Sequence, residues 1–168
     1  AYYVDMNIER ASAAPLRDWV KQGGVLVLWP DAASRDEYNE PLADFPEGPG
    51  RTALGKGWIV RFEEPVAGLW WQRTLAMNKA TDCWWPARFD DELRGVACAP
   101  ALELAKVHRP VTVDQPAVVA SALASARGVA VTLVNPRGIQ DEGGLPLPKV
   151  TITLADGQGI ATAFSSRL

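Results

Sequence analysis

The sequence predicts an α/β unit followed by an all-β unit, on three observations. In "LRDWVKQGGVLVLWP", residues 16–30, a helical pattern ends in a glycine pair and leads into a continuous apolar stretch, the mark of a strand covered on both faces. All seven Trp and all three Tyr lie before residue 90, and after Phe89 the only aromatic residue is Phe164. Charge shifts along the chain as well: residues 1–95 carry 11 basic and 15 acidic groups, whereas residues 96–168 carry 6 and 5. The expected units are therefore 1–95 and 96–168, joined somewhere in 95–110.

The first unit opens with "AYYVDM", a strand over about 1–5, with Asp5 and Asn7 at its carboxyl end. A helix is expected over 11–22. Ser12 has the chemistry of an N-cap, and Pro15 is expected in the first turn, where its missing N–H costs nothing. Leu16, Trp19 and Val20 stand at i, i+3 and i+4 and give the helix one apolar face. Gly23 supplies the left-handed residue that ends it. Val25 to Trp29 is the buried strand. Strand, helix and strand with short connections form a βαβ unit, whose strands run parallel.

Residues 30–56 hold four prolines and several polar side chains and read as a long loop. "GKGWIVRF", 55–62, is the third strand. Within 69–95, Asp90 is placed to cap a short helical turn, with Gly95 as its stop signal. Three strands and one full helix do not complete a doubly wound sheet. Further units are expected before Ala1, or else one face is left uncovered; on this reading the chain is the distal end of a longer protein.

The second unit reads as strands: 109–114, 117–124, 128–135, 149–155 and 160–166. Turn signals separate them at Gln115-Pro116, Arg127-Gly128, Asn135-Pro136-Arg137-Gly138 and Asp156-Gly157. Val129, Val131 and Leu133 alternate with Ala130, Thr132 and Val134, and Val150, Ile152 and Leu154 alternate with Thr151 and Thr153. Period two points to antiparallel strands in a small β-sandwich.

Composition bounds the function. Of 168 residues, 48% are hydrophobic and 22% charged, as in ordinary folded proteins. A net charge of −3 argues against nucleic acid as a partner. No apolar run reaches the roughly 18 residues of a membrane helix. Cys83 and Cys98 are not a CxxC pair, and both a disulfide and two free thiols are compatible with their spacing. The lone His108 cannot build a three-ligand metal site without carboxylates, so no metal or other cofactor is expected.

Candidate chemistry is sparse. A Cys98–His108 nucleophile pair lacks the glycine-flanked elbow that such a thiol needs. The carboxylates at Asp36-Glu37 and Asp90-Asp91-Glu92 read as loop and cap residues, and spacing alone does not make them a glycosidase pair. "LGKGW" is no phosphate loop, because it precedes a strand rather than a helix. The most distinctive feature is two tryptophan pairs, Trp70-Trp71 and Trp84-Trp85. Exposed, they could stack against sugar rings; buried, they are packing.

In this order "LRDWVKQGGVLVL", "RDEYNEP", "GKGWIVRF" and "RPVTVDQPAVVASAL…RGVAVTLVN" resemble the carboxyl-terminal part of large bacterial glycosidase-like proteins. There a class I glutamine-amidotransferase-like domain, similar to the trimerisation domain of the family 42 β-galactosidases, precedes a small β-sandwich. The resemblance spans about residues 1–155. It implies a partial flavodoxin-like, three-layer unit and places catalysis in a separate upstream barrel. Amidotransferases proper carry a Cys–His–Glu triad with the Cys in an elbow; no residue here matches that elbow, so the resemblance implies no catalytic residue. The expected function is a non-catalytic accessory or assembly module of a glycoside-hydrolase-like protein. Its expected partners are the upstream barrel and further copies of the chain. The alternatives are a carbohydrate-binding module using Trp70, Trp71, Trp84 and Trp85, and a small hydrolase using Cys98 and His108.

Overall fold

A computed structural model describes residues 1–78, 83–86, 90–115, 118–134 and 149–155, with the backbone alone for 76–78 and 83–86. The chain has mixed helix and sheet content and divides into two compact units, Ala1–Val107 and His108–Leu168.

In the first unit β1 (Tyr2–Tyr3), α1 (Arg10–Lys21) and β2 (Val25–Leu28) form the expected βαβ succession, with β1 and β2 parallel. Next come β3 (Gly50–Leu54) and β4 (Gly57–Arg61). The sheet order is β1-β2-β4-β3; β2 and β4 are parallel, and β3 is antiparallel to β4. All four residues of β2 are buried, as its unbroken apolar run requires. Beneath α1, Val20, Leu26, Leu28 and Ile59 form the larger core with Ile8, Leu42 and Phe45. On the opposite face Val25, Val27 and Val60 pack with Trp58, Phe62 and Leu104.

Helix α1 departs from expectation at its start. Position Glu9, not Ser12, is the N-cap, and no side chain of α1 caps the helix. The N–H of Arg10 instead donates to Glu37 Oε2 at 2.8 Å, so a carboxylate from the following loop does the work assigned to Ser12. Because the helix begins two residues earlier than its cap signal, Pro15 lies inside it, where its ring removes one internal hydrogen bond.

The end of α1 follows the sequence. The N–H of Gly23 donates to Val20 O at 2.9 Å and that of Gly24 to Trp19 O at 3.1 Å, a Schellman closure with Gly23 at φ 121°. Lys56 N–H donates to Lys21 O at 2.8 Å and Trp58 N–H to Gly24 O at 3.0 Å. The β3–β4 turn therefore satisfies a carbonyl that the helix leaves free. At Gly57 a Cβ would stand 2.1 Å from the carbonyl oxygens of both Val20 and Gly24, so only glycine fits there.

Several elements were not expected. β3 lies within the stretch read as loop; its residues are mostly exposed, and pairing with β4 rather than side-chain pattern makes it a strand. α2 (Val66–Thr74) occupies "VAGLWWQRT", where only Val66 and Thr74 are buried. The backbones of β5 (Leu75–Asn78) and β6 (Cys83–Pro86) then pair antiparallel.

Asp90 caps α3 (Asp91–Ala99), its Oδ1 accepting from Leu93 N–H at 2.8 Å. Gly95 does not end that helix. It sits mid-helix, and α3 runs on into a π-helical turn, Pro100–Leu104, closed by Ala105 N–H to Pro100 O at 3.1 Å. Tyr2 Oη donates to Ala97 O, and Leu104 packs on Val25, Val27 and Val60. The sheet face opposite α1 is thus covered in part by the segment that leads out of the unit. α3 itself runs through residues 95 and 96.

In the second unit β7 (Val111–Val113) pairs antiparallel with β10 (Ile152–Leu154), and β8 (Val119–Ser125) with β9 (Gly128–Val134). The expected turn at Arg127-Gly128 is the β8–β9 connection, with Gly128 at φ 138°. Arg127 N–H donates to Ser125 Oγ at 3.2 Å, and Ser125 Oγ donates to Gly128 O at 3.1 Å. Asp114 ties β7 to β10, accepting from Thr151 N–H at 2.8 Å. The strand expected at 160–166 and the turns at 135–138 and 156–157 lie outside the described residues.

Candidate functional site

The carboxyl ends of parallel strands are where open α/β sheets place their sites. Here that end is occupied by the protein's own polar groups. Arg61, the last residue of β4, is buried and has no carboxylate hydrogen-bond partner among the described residues. Its Nε donates to Pro46 O at 2.9 Å, and its Nη1 lies 2.9, 2.8 and 2.8 Å from the carbonyls of Trp29, Pro30 and Ala32. Burial pushes its pKa below the usual arginine value. Asp36, also buried, collects Arg10 on one oxygen and the Tyr38 and Glu40 N–H groups on the other. The hydrogen bond from Arg10 is the main cause that holds its pKa below the ordinary carboxylate value. Asn7 Nδ2 donates to Asp36 O at 2.7 Å. These contacts brace the 29–46 loop and leave its central polar groups satisfied.

Strand order points the same way. β1, β2 and β4 step across the sheet in one direction, so the described strands contain no crevice at which the order reverses. Ala33, buried at φ 53°, is held by its N–H to Asp5 O at 2.9 Å, a strained residue inside the braced loop.

A groove lies beyond β4. Phe62, Glu63 and Glu64 lead from the strand into α2, and α3 forms the far wall. Its floor is apolar, with Phe62, Val66, Leu69 and Leu93, and Val96 stands exposed at its edge. Glu63, Glu64 and Glu92 bring carboxylates to its lining, and Arg73, which pairs with Asp90 at 3.5 Å, brings one guanidinium. The volume is about 210 Å³. That is below the roughly 300–1,000 Å³ of sites that enclose drug-sized ligands.

The candidate tryptophans divide between two elements. Trp70 and Trp71 lie on α2, 40% and 52% exposed. Consecutive helix positions are about 100° apart, so a sugar ring would meet one indole at a time. Trp84 and Trp85 lie in β6, opposite Met77 and Ala76 in the backbone register. Cys98 is an exposed free thiol on α3, and His108 opens the second unit. No group of three or more His, Cys, Asp or Glu side chains is gathered as metal ligands among the described residues. No helix among them is long and apolar enough to cross a membrane.

Sequence reasoning missed the groove and the Arg61 clamp. In the sequence Asp90 and Glu92 read as cap residues, and the one available signal is their nearness to the apolar Leu93 and Val96 on a helix. No family model matches the chain, and no curated protein matches it.

Proposed function

We propose that the chain is a non-catalytic accessory and assembly module of a larger glycoside-hydrolase-like protein. In this reading the first unit is part of a flavodoxin-like, amidotransferase-like layer, and the second is a small β-sandwich. The observation that supports it most is the open edge of the sheet. Among the described residues β1 is the edge strand of a parallel set, and Tyr2 on it and Val4 and Met6 just after it, alternate residues, are exposed, Val4 by 61%. Parallel strands are rarely left with uncovered apolar neighbours, and an exposed edge pairs readily with another strand. A strand from the upstream barrel protein or from a further copy would complete the layer.

Light scattering on the purified chain, with amide exchange, tests this. The proposal expects association that Val4→Lys with Met6→Lys abolishes, and fast exchange at β1 in the dissociated form. A monomer at every concentration, with β1 amides as protected as those of β2, would sink it.

A second reading is a carbohydrate-binding module. The exposure of Trp70 and Trp71 favours it, and Trp84 and Trp85 are its remaining candidates. Titration with an oligosaccharide panel tests it: the Trp emission shifts, and Trp71→Ala removes the shift.

A further inference from the structure

We infer that the groove between the β4–α2 corner and α3 is a docking site for a basic peptide segment, which inserts one arginine or lysine side chain. Size and charge both lead there. At about 210 Å³ the groove is small for a cofactor or an oligosaccharide but fits a single long side chain. Its floor of Phe62, Leu69 and Leu93 suits an aliphatic stem, and its lining carries three glutamates. Arginine and lysine have this division: they lay their methylenes on apolar surface and keep the charged head at a polar rim.

The lining carries one arginine, Arg73, against three glutamates. Arg73 is drawn to Asp90, 3.5 Å away, on the side where that residue caps α3. Glu63, Glu64 and Glu92 are exposed and enter no ion pair among the described residues. The surplus of carboxylates therefore complements a cation from outside. Val96, 48% exposed beside them, extends the apolar surface to a residue flanking the inserted side chain. This assignment does not depend on the assembly reading, because it uses no part of the β1 edge.

The test is calorimetric titration of the full chain with the blocked peptide acetyl-Leu-Arg-Leu-Leu-Arg-Leu-amide. Its twin, with citrulline in place of arginine, keeps the shape and removes the charge. The arginine peptide is expected to bind, and the citrulline peptide to bind at least about tenfold more weakly, the scale of one lost charged contact. Glu92→Gln and Val96→Ser should each weaken the arginine peptide several-fold. Glu40→Gln removes the same charge on a different loop and should leave binding unchanged. Glu92→Gln keeps the side chain's size, so a loss of binding with an unchanged circular dichroism spectrum reports the contact rather than the fold. Equal affinity for the two peptides would overturn the assignment, as would equal weakening by Glu40→Gln. So would no binding at all, or occupation of the groove by a second copy of the chain that excludes the peptide.

Discussion

Arg10 Nε and Nη2 both donate to one oxygen of Asp36, Oδ2, at 3.1 and 2.6 Å, while the other, Oδ1, accepts the N–H groups of Tyr38 and Glu40 at 3.0 and 2.9 Å. The carboxylate is 2% exposed although its partner's side chain is largely in solvent. It joins the start of α1 to the loop after β2. Because the folded-state pKa lies below the unfolded value of about 3.9, the stabilisation is in full force above that value. It fades as pH falls through the folded-state pKa. Thermal melts between pH 7 and pH 2 should show that Asp36→Asn lowers Tm at neutral pH and flattens the acid limb, so that mutant and wild type converge at the lowest pH.

Gly57 and Gly95 predict opposite responses to the same substitution. Gly57→Ala drives a methyl group into two backbone carbonyls, which cannot rotate away as a side-chain tip could. The expected loss is about 3 kcal/mol, at the upper end of overpacking costs. Gly95 lies inside α3 with nothing within 4 Å of its missing Cβ, so Gly95→Ala should gain about 0.5–1 kcal/mol. Urea unfolding of the two variants reads both values.

Arg61→Met keeps an apolar stem of similar reach but strands the carbonyls of Trp29, Pro30, Ala32 and Pro46. Unfolding stability should fall by on the order of 3 kcal/mol, the cost of buried acceptors left without donors. Faster amide exchange at Ala33 and Ser34, with β2 still protected, would place the damage in the loop.

Asp90→Ala removes the side-chain acceptor from the first turn of α3 and should cost about 1 kcal/mol, whereas Asp90→Ser should restore most of it. Denaturant melts followed by circular dichroism separate the two variants.

The parts of the fold that depend on neighbouring residues could be read from the sequence. The apolar run Val25–Leu28 announced burial on both faces, the glycine pair announced the end of α1, and Asp90 announced a helix start. What could not be read depends on partners distant in the chain. Glu37 caps α1 from 27 residues away, so Ser12 looked like the better candidate. β3 has almost no buried side chain and is a strand because β4 lies beside it. α2 buries two residues at its ends, so its sequence shows little beyond the tryptophan pair. The candidate groove draws on three elements, and the Arg61 clamp closes on backbone carbonyls, which leave no trace in residue identity. Trp70 and Trp71 were visible as a pair, but the helix that turns them apart was not.

The glycine at position 57 also divides the first unit into two unequal rims. At the amino rim, helix end and strand starts meet backbone to backbone at Gly57, so lengthening the chain beside it would separate α1 from β4. Engineering of this scaffold should therefore be directed to the opposite rim, at Glu47–Pro49, which is exposed and precedes the first paired residue of β3.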